Sequence, residues 1–133
     1  MGQKMRVDGW EKRLNEHLET IGAFAWGTND CCMFAVGCVK AMTGVDHGKE
    51  FRGYKTAVGA AKRLEKHGGV EGIATYCLGE SKSVKLAKRG DVVMIDSGEG
   101  YALGVCVGSK IAAVSKDGLT FLPMTQAIKV WSI

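Results

Sequence analysis

The apolar residues of this chain keep a helical rhythm up to about residue 78 and lose it from residue 92 onward. Before the break they recur at spacings of three and four, which gathers them on one side of a helix. After it they come as short runs and alternations bounded by glycine-containing turns, the pattern of strands. Helices first and a strand meander second point to an α+β layout, with the helices packed on a small antiparallel sheet or half-barrel.

The elements can be placed in order. Val7, Trp10, Leu14, Leu18 and Ile21 form one stripe and predict a helix over roughly 5–21, closed by Gly22; His17 lies beside that stripe and reads as a boundary histidine. A second helix is expected from Cys31 to about Thr43, with Asp30 or Asn29 as N-cap and Gly44 as C-cap. Residues 45–54 read as a loop, and a third helix is expected over 55–67, stopped by His67-Gly68-Gly69. Residues 70–78 read as a short helix, with an extended segment as the alternative. Strands are expected at 92–95, 101–107, 110–114, 119–122 and 127–131, separated by turns at 96–100 and Asp117-Gly118 and by Pro123. The 133 residues suit one domain with a helical part over about 5–78 and a strand part over about 90–132.

Composition narrows the function classes. No apolar run approaches the ~20 residues that a bilayer requires, and the polar start MGQKMRVDGWEKRL has no apolar signal segment. Gly2 lacks the Ser or Thr at position 6 that lipidation wants. Five cysteines without a paired C-x-x-C or C-x-x-H spacing predict reduced thiols and no structural zinc, and no cofactor motif is present. The net charge of +4 is mild. Lys82, Lys85, Lys88 and Arg89 form the densest basic patch; without interleaved aromatics it reads first as a solvated loop, with a nucleic-acid contact as the weaker alternative.

Chemistry concentrates in Phe24-Ala25-Trp26-Gly27-Thr28-Asn29-Asp30-Cys31-Cys32-Met33-Phe34. Here an aromatic-glycine turn leads through Asn and Asp into a helix that opens on two cysteines. A cysteine in the first helical turn meets unpaired backbone N–H groups and the positive end of the helix dipole, which favour the thiolate, the nucleophilic form. The same residues also make an ordinary helix start, in which Cys31 is a core-facing thiol in phase with Phe34 and Cys38 and Cys32 packs beside it. Trp26 is a cleft-lining candidate or a structural staple. Tyr101 is a candidate ligand contact, and a poor general base because a phenol titrates near pH 10.

Several of these features, in their order, resemble the NlpC-like branch of the papain-fold cysteine peptidases. Phe24, Trp26, Gly27, Asp30 and Cys31 resemble that family's nucleophile segment. Arg89-Gly90-Asp91-Val92-Val93 resembles its first barrel strand, and Leu103-Gly104-Val105-Cys106-Val107-Gly108 its next. The similarity spans about residues 20–115 and looks closest to small proteins of phage and prophage tail regions. It implies a papain-like fold, a nucleophile position at Cys31, other tail proteins as partners and a place in the virion. The family's base is a histidine just before the second strand's V-G-I run. Ala102 stands there, and Ile111-Ala112-Ala113 stands where an orienting polar residue belongs.

Two functions therefore follow from the resemblance. In one the protein is a catalytically degenerate tail-tip or tail-assembly component. In the other it is an active peptidase or amidase cutting peptidoglycan stem peptides through Cys31. Helix-start N–H groups would then hold the oxyanion, and His47 or His67 would take the proton. Binding residues in either case would be Trp26, Asp30 and Tyr101.

Overall fold

The computed structural model describes residues 5–98 and 100–133, so Gly2, and Glu99 of the expected 96–100 turn, lie outside the described residues. Four helices come first: α1 (Trp10–Glu19), α2 (Cys31–Thr43), α3 (Ala57–Lys66) and α4 (Gly69–Leu78). Five strands follow: β1 (Val92–Asp96), β2 (Tyr101–Cys106), β3 (Lys110–Ser115), β4 (Gly118–Pro123) and β5 (Ala127–Trp131). All neighbouring strands pair antiparallel, in the order β4-β3-β2-β1-β5. The α+β expectation holds at this level: α1 packs on α2, and α2 lies against β2 and β3.

The first helix is shorter than its stripe suggested. Gly9 adopts a left-handed conformation (φ 75°) ahead of Trp10 and sets the helix start there. Val7 is therefore outside the helix, where its N–H bonds the Met42 carbonyl at 2.9 Å. α3 begins at Ala57 because Thr56 caps it, its hydroxyl accepting from the Gly59 N–H at 3.0 Å. Residues 69–78 form a helix, as read from the sequence, and the alternative extended segment is absent.

Strand β1 explains the unbroken apolar run at 92–95. Alternate side chains of a strand point to opposite faces, and here both faces are covered. Val92 and Met94 join the core under the helices, with Leu14, Phe34, Cys38, Val39, Met42, Leu103, Val105 and Trp131. Val93 and Ile95 enter a second cluster with Cys106, Ile111, Ala127 and Val130 on the far side. That far side is closed by the segment that looked like a free basic loop. Val84 and Ala87 pack on it, and the Lys82 N–H and carbonyl pair with Val130 (2.7 and 3.4 Å).

Asp91, fully buried, ties both ends of the chain to this sheet. One carboxylate oxygen accepts from the Arg6 guanidinium (3.0 Å) and the Ile133 N–H (3.1 Å). The other accepts from the Lys88 N–H and the Lys82 ammonium, each at 2.9 Å. Gly90 beside it has φ 94°, and a Cβ there would meet Arg6 and the Met42 sulfur at about 3 Å. Two of the four basic residues of the patch are thus engaged within the fold, Lys82 with Asp91 and Arg89 with Asn15 (3.0 Å). No helix of the described residues is long and apolar enough to cross a membrane.

Removing one member of a buried charge network strands the others, which typically costs about 3–5 kcal/mol. Asp91→Ala should therefore lower the unfolding free energy by that order in urea titrations. Lys12→Ala, which breaks only an exposed i,i+4 pair with Glu16, should change it by less than about 0.5 kcal/mol.

Candidate functional site

The site is built from the loop before α2. Asn29 donates from its side-chain nitrogen to the Gly22 (2.7 Å) and Ala23 (2.9 Å) carbonyls, closing the loop on itself. Gly27 (φ 82°) turns the chain so tightly against the 54–55 backbone that a Cβ there would sit 1.9 Å from the Tyr54 carbonyl oxygen. Asp30 then caps α2. Its side chain is buried, accepting from the Met33 N–H and the Gly27 N–H, both at 2.9 Å. The Tyr54 hydroxyl donates a third, short bond to the same carboxylate. Burial, followed by that bond to Asp30, pushes the Tyr54 phenol far above its ordinary range. With both oxygens accepting hydrogen bonds from the loop, the helix and Tyr54, Asp30 is a structural anchor.

Cys31 is the first residue of α2 and is part-exposed. Its thiol lies below the ordinary cysteine range, chiefly because the Cys32 thiol hydrogen-bonds to it. Burial opposes this, and the Leu103 and Cys32 N–H groups add to it. Cys32 is shifted the opposite way, raised by the same bond and by burial. Of the two thiols, Cys31 is therefore the one that gives up its proton first, and Cys32 the one that holds its proton.

Behind the two sulfurs opens an apolar cavity of about 50 Å³ between α2, α3, α4 and β2, with Val36, Phe51, Ile73, Ala74, Leu78 and Leu103 among its walls. Cys77 of α4 also lines it, its thiol pushed up to about 11 by burial. Trp26 stands at its edge, 43% exposed, edge-on to Phe24 with ring centres 4.7 Å apart.

Of the residues singled out from the sequence, Trp26, Asp30 and Cys31 meet at this cavity. Tyr101 does not line it. Tyr101 is 57% exposed at the start of β2, paired with Asp96 and two residues from Leu103 on the same strand face. Among the described residues no histidine lines the cavity. His67 ends α3 and packs edge-on against Phe51 (4.8 Å), with Tyr76 at 5.6 Å. His47 sits in the loop after α2, next to the cavity-lining Gly48. His17 is half-buried on α1 against Gly37, and burial lowers its pKa.

The second strand also presents a different residue to the sulfur from the one that the motif suggested. Leu103 belongs to the core under the helices and faces Cys31, whereas Ala102 packs in the far-side cluster with Cys106 and Ile111. The position matched to the family's histidine therefore points through the sheet, away from the thiol. Sequence reasoning missed Tyr54 and Cys77, which lie 24 and 46 positions from Asp30 and Cys31 and carry no local signal. The neighbouring Cys32 was visible but its proton-sharing role was not. Among the described residues no three His, Cys, Asp or Glu side chains converge as a metal ion would need.

A family model for a domain of unknown function, DUF6950, matches residues 5–133, and the chain belongs to that family. No curated protein matches it.

Alkylation by iodoacetamide reports the thiolate. Because the Cys31 pKa is lowered, its reaction should persist below the pH at which an ordinary cysteine stops reacting, falling only as pH drops through the lowered value. Cys32→Ala removes the donor and should move that midpoint upward, toward ordinary cysteine. A midpoint unmoved by Cys32→Ala would show that the two thiols do not share a proton.

Proposed function

We propose that this protein is a catalytically degenerate relative of the NlpC-like papain-fold peptidases that serves as a structural or assembly part of a phage or prophage tail tip. The observation that carries the degenerate reading is the lining that Cys31 shares: the Cys32 and Cys77 thiols, the Asp30–Tyr54 pair, Arg63 and apolar walls, and among the described residues no imidazole. Amide cleavage needs a base for the nucleophile and an acid for the departing amine, and a histidine normally does both. Cys32 and Tyr54 hold their protons too firmly to replace it. The helix order, the cap–cysteine start of α2 and its seat on β2 support the papain-like reading. The tail role and virion location come from the sequence resemblance, and the partners are then other tail proteins.

A second reading has one observation in its favour. The Cys31 pKa is lowered by neighbours other than histidine, so part of the activation a nucleophile needs is supplied without an imidazole. In that reading the protein is a cysteine peptidase or amidase acting on peptidoglycan stem peptides, with Trp26 at the substrate cleft.

Incubation with purified cell-wall sacculi separates the two. We expect no soluble peptide above the level given by Cys31→Ala; release that disappears in Cys31→Ala establishes the peptidase. For the tail role, mass spectrometry of purified particles from the producing strain should find the chain alongside the tail proteins, and its absence from particles counts against that role.

A further inference from the structure

The apolar cavity has a chemical meaning that neither reading uses. Cys31, Cys32 and Cys77 are all among its lining residues, and the rest of its exposed surface is almost entirely hydrocarbon. A cavity of about 50 Å³ has room for roughly four water-sized groups, since one water occupies about 10–15 Å³ by this measure. An aliphatic chain of about four carbons fills such a space, and water gains little there because almost no polar wall receives it.

Leaving-group chemistry then selects the donor. An amine leaves a carbonyl only when an acid protonates it, and the cavity provides no acid of suitable strength. A thiolate leaves without protonation, because its own pKa is low enough. We infer that Cys31 is an acyl acceptor: it takes a short acyl group from a thioester donor, and the cavity behind it holds the chain.

In this step the Cys31 sulfur attacks the thioester carbonyl and a new carbon–sulfur bond forms. The donor's carbon–sulfur bond breaks, and the released thiolate takes a proton from water, replacing the one that Cys31 gave up. One thioester and one thiol become another thioester and thiol, with no oxidant or other co-reactant. The Leu103 and Cys32 N–H groups hydrogen-bond to the sulfur and hold it in the cavity lining. Trp26 lines the same cavity. Tyr54, fixed by Asp30, keeps the helix start in place behind it. The inference rests on the reading that no imidazole serves Cys31, and is otherwise independent of any tail role.

The test uses the full chain with N-acetylcysteamine thioesters of acetyl, butyryl, hexanoyl and decanoyl groups, followed by intact mass and peptide mapping. We expect one adduct, on Cys31, removed by neutral hydroxylamine and absent in Cys31→Ala. Butyryl should transfer at least about tenfold faster than decanoyl, in line with the ~10–200-fold that a fitted pocket gives for a single misfit methylene. Ala74→Phe, which fills the cavity, should abolish that chain-length preference while leaving iodoacetamide alkylation of Cys31 unchanged.

The wild-type length series stands alone should Ala74→Phe fail to fold. Alkylation of Cys31 by iodoacetamide without acylation by any donor overturns the inference. So does equal transfer at every chain length, or adducts spread over the other cysteines. Peptide release from sacculi would instead overturn the premise that Cys31 lacks a base, so the two failures are told apart.

Discussion

One buried carboxylate, that of Asp30, holds the turn, the helix and the distant loop that together make the thiol site. Burying a charge costs several kcal/mol per ion. Hydrogen bonds to a charged group return about 1.5–3 kcal/mol each, and Asp30 receives three, from Gly27, Met33 and Tyr54. The positive end of α2 adds to this. The charge is therefore sustained without a cationic partner, and its geometry is fixed from three directions. Cys31 follows immediately, so the direction of its side chain is set by the same anchor. Gly27 is required because no side chain fits between this turn and the Tyr54 carbonyl.

A second carboxylate does comparable work for the sheet. Asp91 gathers Arg6, Lys82, the Lys88 N–H and the last residue's N–H at the root of β1. It thereby draws in the basic strap that covers the far face of the sheet, and that cover lets β1 be apolar on both faces. The two carboxylates differ in kind. Asp91 is neutralised by cations and joins parts remote in sequence, whereas Asp30 is satisfied by neutral donors and shapes a site. Between them they place α2 against β2 with the Cys31 sulfur facing Leu103.

Much of this was legible in the sequence. The period change, the Asp30 cap and the apolar run at 92–95 are local signals, and each gave the right element. What escaped has physical reasons. The start of α1 was misplaced because the stripe through Val7 ignored Gly9, whose left-handed turn fixes the helix start at Trp10. The basic patch read as solvated because nothing nearby in sequence offers Lys82 its partner Asp91. The Tyr54–Asp30 bond joins residues 24 apart, and no spacing rule reaches that far. Most consequential was the strand face. A motif match put Ala102 opposite Cys31, but a strand turns alternate residues to opposite sides, and the register that pairs Met94 with Leu103 brings Leu103 to the sulfur instead.

The central claim is that Cys31 owes its lowered pKa to a thiol and to backbone N–H groups and not to an imidazole. Nitrogen-detected NMR titration of His17, His47 and His67, before and after Cys31 is capped with methyl methanethiosulfonate, tests it directly. Capping removes the negative charge, and an imidazole in contact with the sulfur would then lose about one pKa unit or more. The account predicts that all three histidines titrate unchanged. A downward shift of that size at any one of them would contradict it.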